Sequence, residues 1–225
     1  EDPQLAINEI NNTTTGGTVI FAKGTHTLTK NLILYDKVSI EGQGRGVTIL
    51  EFGGLAAGIK YTGTLATPFS NIKLSNFTIQ NSNNTAGIDM DYVANFLIES
   101  VIINSCDQKG LRIQHSQVFI IRDVISQNNT GNGYEIVGDA TRTTARFFIT
   151  NSYADGNGGI GFAFLGGDNN LNYFTLISCV SGTNTSDGYD FSASSGTAHD
   201  ASLIECIAAG NGGVGFDVGA NNQRL

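Results

Sequence analysis

Charged side chains recur at one position of a repeated segment, two residues after a glycine. In successive copies this position holds Lys60, Asp89, Arg112, Glu135, Ala163, Asp190 and Asp217. A cation between two carboxylates supplies the groups needed to abstract a proton next to a carboxylate: a positive charge that neutralises it, a base, and an acid near the leaving oxygen. Arg112, Glu135 and Asp89 are therefore the candidate catalytic residues.

Further polar residues are candidates for contacting a substrate around these three. They are Lys60, Asp91, Lys109, His115 and Asp190. A second interpretation needs no substrate, because neighbours that alternate in sign, such as Asp89, Arg112 and Glu135, also form a cross-strand salt ladder. If neighbouring copies stack as strands, Asp89 and Glu135 lie roughly 9.6 Å apart. Inverting glycosidases have a similar carboxylate separation, although here Arg112 would fill the space between the two groups.

The carboxylates and histidines give little indication of a metal site. Asp89 and Asp91 share one face of a strand and indicate Ca²⁺ only weakly, because Ca²⁺ takes about 6–8 oxygen ligands. The histidines His26, His115 and His199 lack the spacing of zinc ligands. His115 and His199 are expected to be solvated in turns. We therefore predict no metal site and no cofactor.

Few aromatic side chains are expected to be exposed for stacking against sugar rings. Most of them fall at inward positions of the repeat. Tyr92 and Tyr153 are the best candidates for exposed platforms.

The elements that must position these residues are short strands repeated at nearly constant spacing. The copies begin at Gly58, Gly87, Gly110, Gly133, Gly161, Gly188 and Gly215, with spacings of 29, 23, 23, 28, 27 and 27 residues. The residues one and three positions after each glycine are apolar in every copy. This alternation places the apolar pair inside and the residue between them outside.

A second apolar strand precedes each later glycine, and turns rich in Asn and Gly join the two strands. Such turns suit left-handed corners between sheets. One copy cannot bury its apolar face alone, so the copies must stack at about 4.8 Å per coil around a continuous core. The sequence therefore predicts an all-β fold, a right-handed parallel β-helix, with a single domain over residues 1–225.

The two ends of this solenoid are predicted to differ. Residues 3–11 read as a short capping helix, because Asp2 is a good N-cap and Pro3 a good first helical residue. The cap is assigned to residues 1–15 and the stacked coils to about residues 16–225. Residues 221–225 look like the beginning of another coil, so the chain is expected to be a fragment of a longer polypeptide.

The charge balance restricts the partners. The formal net charge is −8, and the 12 Lys and Arg residues form no run. Both observations weigh against binding to a nucleic-acid backbone or to anionic membranes. No apolar stretch reaches the 18 or so residues of a membrane span. The three cysteines, an odd number, give no disulfide framework.

The first quarter of the chain carries the most specific pattern. Segments 16–28, 32–34, 38–44 and 48–50 read GGTVIFAKGTHTL, LIL, VSIEGQG and TIL. This pattern resembles the opening of pectate-lyase-like β-helix proteins, a superfamily that includes pectin-degrading enzymes, mannuronan C5-epimerases and phage tailspike depolymerases. The resemblance implies the β-helix fold and a polysaccharide as the substrate or ligand.

The resemblance does not identify a reaction. Epimerase-like members carry an Asp-Pro-His-Glu motif just after a coil glycine. The nearest segment here, residues 112–116, has Arg112 in place of the Asp, lacks the proline, and has His115 one position late. The paired aspartates of pectin-hydrolysing relatives are not recognisable. Polysaccharide lyase, epimerase and glycoside hydrolase therefore all stay open, as does the absence of catalysis.

Two functional hypotheses follow. The first is an extracellular or surface β-helix that binds polysaccharide along one outward face and in one version processes it. The second is a non-catalytic structural or adhesin module of a cell-surface, virion or appendage protein. Self-association and contact with the rest of a longer chain are further partners in either case. A cleft beside Asp89 and Glu135, walled by the longer turns at 138–145, 166–172 and 192–200, would distinguish the two.

Overall fold

The computed structural model describes residues 2–13, 15–53, 58–83, 85–138, 143–166, 171–191 and 198–219. The helix is α1 (Pro3–Asn11), and the strands are β1 (Gly17–Ile20), β2 (Gly24–Thr27), β3 (Leu32–Leu34), β4 (Val38–Glu41), β5 (Thr48–Glu51), β6 (Ile59–Thr62), β7 (Phe69–Gln80), β8 (Ala86–Asp91), β9 (Val93–Asn104), β10 (Lys109–Gln114), β11 (Gln117–Gln127), β12 (Tyr134–Gly138), β13 (Thr144–Thr150), β14 (Tyr153–Asp155), β15 (Phe162–Gly166), β16 (Leu171–Ile177), β17 (Val180–Gly182), β18 (Tyr189–Asp190), β19 (Ala198–Ile204), β20 (Ile207–Ala209) and β21 (Phe216–Asp217). The predicted right-handed parallel β-helix with a short N-terminal helix is confirmed, as a solenoid of about six turns.

The strands form two sheets that wind around one core. The eight-stranded sheet has the order β21-β18-β15-β12-β10-β8-β6-β3, and the other sheet has 13 strands. In the 13-stranded sheet, β7, β9 and β11 bend at Asn76, Ser100 and Asp123, where φ is 63°, 52° and 55°. These left-handed residues divide the sheet into two faces. The pre-bend face contains β1, β4, β13, β16, β19 and the parts of β7, β9 and β11 before the bend, and the post-bend face contains β2, β5, β14, β17, β20 and the parts after it. Each coil therefore presents three faces to its surroundings.

The core is built from columns of side chains at equivalent positions in successive coils. One aromatic column contains Phe96, Phe119, Phe147 and Phe174, whose rings stack with centroids 4.6, 4.6 and 4.8 Å apart. A second contains Tyr134, Phe162, Tyr189 and Phe216, stacked at 4.4, 4.9 and 4.7 Å. Burying a large apolar side chain stabilises the fold by about 1.5–3 kcal/mol. The parallel register repeats this gain in each coil.

A row of asparagines crosses the turns that follow the post-bend strands. Its members are Asn129, Asn157, Asn184 and Asn211. The Oδ1 atom of Asn157 accepts two hydrogen bonds from Asn129, one from its backbone N–H at 3.1 Å and one from its side-chain Nδ2 at 2.9 Å. Asn157 donates to Asn184 in the same way, at 3.0 and 2.9 Å, and Asn184 to Asn211 at 3.1 and 2.9 Å. The ladder satisfies buried polar groups and joins the turn of each coil to the next.

Helix α1 covers the first coil, as predicted. Asp2 caps it, its Oδ1 accepting the backbone N–H of Gln4 at 2.9 Å. Ile7 is fully buried against the core. The amide of Gln4 donates to the carbonyl of Ile33 and accepts its N–H, both at 3.0 Å. The helix therefore provides hydrogen bonds for β3, which is the edge strand of the eight-stranded sheet among the described residues.

Several predicted features lie outside the described residues. Residues 139–142, 167–170 and 192–197 include most of the turns expected to wall a cleft. Residues 220–225 include the expected start of a further coil. In the part of the chain that the structure describes, no helix is long and apolar enough to cross a membrane.

Candidate functional site

The eight-stranded sheet presents the charged column on its outward face. Lys60 on β6 pairs with Asp89 on β8, Asp89 with Arg112 on β10, and Arg112 with Glu135 on β12. The inward neighbours of these residues are fully buried core side chains. Period-two alternation therefore turns the four charged side chains outward, in adjacent strands. The structure brings the three candidate catalytic residues together.

Arg112 lies between the two carboxylates and contacts both. Its Nη1 donates to Oδ1 of Asp89 at 3.2 Å, and its Nε lies 3.6 Å from Oε1 of Glu135. Its Nη2 donates to the side-chain oxygen of Gln114 on the same strand. Nη1 and Nη2 therefore donate to protein side chains, whereas the buried Nε has only the 3.6 Å ion-pair contact and no hydrogen-bond partner.

Glu135 is held by cations and an amide. Nζ of Lys109 lies 2.6 Å from its Oε1, and Nδ2 of Asn132 donates to its Oε2 at 3.0 Å. Neither Asn132 nor Gln114 was predicted as a site residue. Gln114 stands two positions after Arg112 on one strand, so strand alternation alone places both on one face. Asn132 belongs to a turn, where the repeat carries no such signal.

The two carboxylates are recessed although they belong to an outward face. Asp89 and Glu135 are each only 5% exposed. Burial raises the pKa of Asp89 above that of an ordinary carboxyl, and the positive charges of Arg112 and Lys60 offset only part of this rise.

A second polar group lies beside the column, at the ends of β8 and β10. Nδ1 of His115 lies 2.8 Å from Oδ1 of Asp91, and the His115 ring stacks on Tyr92 with centroids 4.5 Å apart. His115 is 8% exposed, so the expectation of a solvated histidine is wrong. The reason lies in the backbone: Tyr92 and His115 have φ values of 53° and 50° at equivalent corners, which stacks the rings of successive coils.

The remaining predicted residues are more dispersed. Asp190 on β18 continues the column, but Ala163 on β15 separates it from Glu135. Tyr92 is half-buried against His115, so it is not the exposed platform that the sequence suggested. Tyr153 is exposed as expected, but it lies on β14 of the other sheet.

The residues considered for Ca²⁺ have other partners. Asp89 contacts Arg112, and Asp91 contacts His115. Within the described ranges, no three His, Cys, Asp or Glu side chains are grouped as metal ligands would be. The site brings together three cations, two recessed carboxylates and an aspartate–histidine pair.

A model of one protein family covers nearly the whole chain. The family, described as rhamnogalacturonase A/epimerase, pectate lyase-like, matches residues 2–206. The chain belongs to this family. The matched range of this pectate lyase-like chain includes every candidate residue from Lys60 to Asp190, and it confirms the resemblance noted in the opening segments. No curated protein sequence matches the chain.

Solved structures of known proteins share the pectate lyase-like fold. The A-module of a mannuronan C-5 epimerase from Azotobacter vinelandii has a TM-score of 0.64 and 17% identity, over 95% of this chain and 68% of that one. The catalytic unit of an α-1,3-glucanase from Streptomyces thermodiastaticus has a TM-score of 0.59 and 13% identity, over 94% and 39%. A surface adhesin of Streptococcus pneumoniae has a TM-score of 0.56 and 14% identity, over 90% and 57%. At these identities the likeness establishes the fold alone.

Proposed function

We propose that this chain is an extracellular or cell-surface β-helix that binds polysaccharide along the outward face of its eight-stranded sheet. The observation that carries the proposal is the recessed position of Asp89 and Glu135 on either side of Arg112. A surface salt ladder gains little from burial, because removing charges from water is costly. Recessed charges on an outward face are typical of sites that bind or transform a charged ligand.

The arrangement favours an acidic polysaccharide. Lys60, Lys109 and Arg112 bring three positive charges to one strip of a chain whose net charge is −8. Lys109 and Arg112 both approach Glu135, so they stand where a uronate carboxylate would be neutralised. A polymer parallel to the solenoid axis would meet Lys60, Arg112 and then Asp190 in order along the column.

Among the candidate reactions, proton transfer beside a uronate carboxylate fits the geometry better than inverting hydrolysis. Inverting hydrolysis requires room for a water molecule between two carboxyl groups, and Arg112 occupies that room here. In lyase or epimerase chemistry, Arg112 and Lys109 neutralise the uronate. Glu135 takes the proton from C5 of the uronate. Asp89, whose pKa is raised by burial, gives a proton to the glycosidic oxygen that leaves as the C4–O bond breaks in a lyase, or returns a proton to C5 in an epimerase. Asp91 orients His115 at the edge of the same site.

A second candidate function is a non-catalytic adhesin or structural module. It is favoured by one specific observation, that both terminal nitrogens of Arg112 already donate to protein side chains. In that case the column stabilises the stacking of the coils and reacts with nothing.

The test is a screen of the purified chain against uronate-rich and neutral polysaccharides. Binding is measured by affinity electrophoresis, and products by absorbance of unsaturated uronates together with reducing ends. The Arg112→Gln/Glu135→Gln variant should bind the uronate-rich polymers at least tenfold more weakly than the wild type. The matched control is Arg122→Gln, which removes an exposed arginine paired with Glu99 on the other sheet and should bind normally.

Each outcome separates the two candidates. Product formation that disappears in the double variant, with circular dichroism unchanged, establishes an enzyme. Binding without product supports a carbohydrate-binding role. The absence of binding to every polymer contradicts the proposal and leaves the structural module.

A further inference from the structure

The pre-bend face of the 13-stranded sheet carries an open groove of about 350 Å³. Its lining includes Asn95, Leu97, Val118, Ile120, Arg146 and Phe148. Leu97, Ile120 and Phe148 stand in register on β9, β11 and β13. Phe148 is 48% exposed and Val118 is 44% exposed, so the groove displays apolar side chains where the alternation of the strands predicts polar ones.

The backbone beside this groove is unfavourable for the residues that occupy it. Val118, Arg146 and Tyr173 have φ values of 57°, 60° and 54° at equivalent corners of three successive coils. The coils before and after them place Asn95 and Asp200 at this corner, and these types tolerate left-handed backbone far better than a β-branched valine does. Val118 and Tyr173 are also exposed, so burial in the core does not explain their presence.

Among the described residues that line the groove, Arg146 is the single charged one, and it is positive. Arg45, Arg112 and Arg122 each lie within 4.0 Å of a carboxylate. Across the described ranges, Arg146 has no carboxylate at that distance and is exposed. A cation without a carboxylate partner, on a chain of net charge −8, marks a place where an anion is attracted.

We propose that this groove binds a sugar ring that carries a carboxylate. Phe148 and Ile120 cover the apolar face of the ring, and the guanidinium of Arg146 binds its carboxylate through two N–H groups. The amide of Asn95 donates to and accepts from ring hydroxyls. The groove shares no residue with the Asp89–Arg112–Glu135 site. The inference therefore adds a second contact surface to the proposed function.

The two surfaces are separated by one corner of the solenoid. Val118 follows His115 by three residues, and both take left-handed backbone. Coils rise by about 4.8 Å, which is close to the length of one sugar ring, so successive rings of a polymer parallel to the axis meet successive coils. A second surface of this kind gives long polymers an advantage over short ones, because the second contact is intramolecular.

The experiment uses methyl-labelled protein and two tetrasaccharides, tetragalacturonate and neutral cellotetraose. It is done in the Arg112→Gln/Glu135→Gln background, so that the groove is observed without the first site. Tetragalacturonate is expected to shift the methyl signals of Leu97, Val118 and Ile120, and cellotetraose to shift them at least tenfold more weakly. Arg146→Gln and Phe148→Ala should each weaken tetragalacturonate binding about tenfold, the equivalent of losing one good contact. Tyr153→Ala removes an exposed aromatic residue of the post-bend face and is the matched control, with unchanged shifts.

Three results would overturn this proposal. The first is the absence of methyl shifts with either sugar, and the second is equal affinity for both sugars regardless of Arg146→Gln. The third is a concentration-dependent dimer, seen by analytical ultracentrifugation and abolished by Phe148→Ala, which would identify a second copy of the chain as the occupant. None of these results bears on the first site. That site is tested separately, by comparing polymer binding of the wild type with that of the Arg112→Gln/Glu135→Gln variant.

A second measurement tests the reasoning about the backbone. Val118→Asn should raise the melting temperature by about 2–4 °C, because asparagine tolerates the left-handed corner and the chain has 225 residues. The same substitution should weaken tetragalacturonate binding. A variant that binds normally and melts at a lower temperature would contradict the assignment of Val118 to a binding surface.

Discussion

Asp91 of one coil holds His115 of the next, with 2.8 Å between Oδ1 and Nδ1. Both side chains lie at the ends of neighbouring strands of the eight-stranded sheet, and His115 is nearly buried. Such a contact fixes the orientation of the imidazole ring and joins two coils at their corner. The sequence separation of 24 residues means that only the stacked fold can form it.

The Asp91–His115 contact gives a stability prediction. Asp91→Ala should lower the free energy of unfolding by about 1.5–2 kcal/mol, because a nearly buried imidazole N–H loses its charged acceptor. Asp91→Asn should cost less than half as much, since its amide oxygen still accepts that hydrogen. Urea denaturation of both variants is the measurement. Equal costs for the two variants would contradict a role for this hydrogen bond.

Truncation of two neighbouring phenylalanines should change stability by very different amounts. Phe147 is fully buried and stacks between Phe119 and Phe174, whereas Phe148 faces the groove. Phe147→Ala should therefore cost about 3–5 kcal/mol. Phe148→Ala should change stability by no more than about 0.5 kcal/mol. Thermal denaturation of the pair checks the assignment of inward and outward positions on β13, which a one-residue shift in register would reverse.

The asparagine ladder should make a large contribution at each step. The side chain of Asn157 accepts two hydrogen bonds from Asn129 and donates to the carbonyl of Ser126 and to Asn184. Asn157→Ala should cost about 3 kcal/mol, because several buried donors and acceptors lose their partners.

The adjacent residue of the sequence provides the control for that prediction. Asn128 is exposed and has a φ of 53°. Asn128→Gly keeps the left-handed corner available and should change stability by a few tenths of a kcal/mol. Similar losses for Asn157→Ala and Asn128→Gly in chemical denaturation would mean that the ladder contributes little.

Binding of an acidic polymer should depend on pH through Asp89. Burial raises the pKa of this carboxyl, so it takes up a proton above the usual value of about 3.9. As the pH falls through the raised pKa, the site loses one negative charge and Arg112 becomes more available to the polymer. Affinity for polygalacturonate should therefore rise as the pH falls through that interval, and Asp89→Asn should remove this dependence. A profile unchanged by Asp89→Asn would assign the titration to another group.

The same proton has a consequence for folding. Between the ordinary pKa of an aspartate and the raised value, the folded chain binds a proton at Asp89 that the unfolded chain does not. This group alone therefore makes stability decrease as the pH rises across that interval. Denaturation of the wild type and of Asp89→Asn at matched pH values separates its contribution from those of other carboxyls.

The sequence predicts the fold well because the same pattern of glycines and apolar residues recurs in each coil. The glycine spacing and the apolar columns give the register that joins Asp89, Arg112 and Glu135 in neighbouring strands. Asp2 and Pro3 likewise indicate the helix that covers the first coil. Each of these inferences uses short-range rules that apply once per coil.

The site was less predictable because its details depend on the corners. His115 was expected in solvent, and its burial against Tyr92 follows from two left-handed residues that no composition rule identifies. Asn132 reaches Glu135 from a turn. Val118 and Arg146 occupy corners where Asn or Gly would be expected, so propensity points away from their conformation. These rules of strand alternation and backbone propensity do not identify a ligand, so the ligand stays a prediction.

The asparagine row also bears on how such a molecule changes over evolutionary time. Each of Asn129, Asn157 and Asn184 presents the same donors to one side and the same acceptor to the other. Removing or duplicating the coil that contains Asn157 would leave cut ends that meet an identical partner. Duplication of one repeat in the gene can therefore lengthen this solenoid, and deletion of one repeat can shorten it, without redesigning its interior, while the outward residues of each added coil are free to diverge.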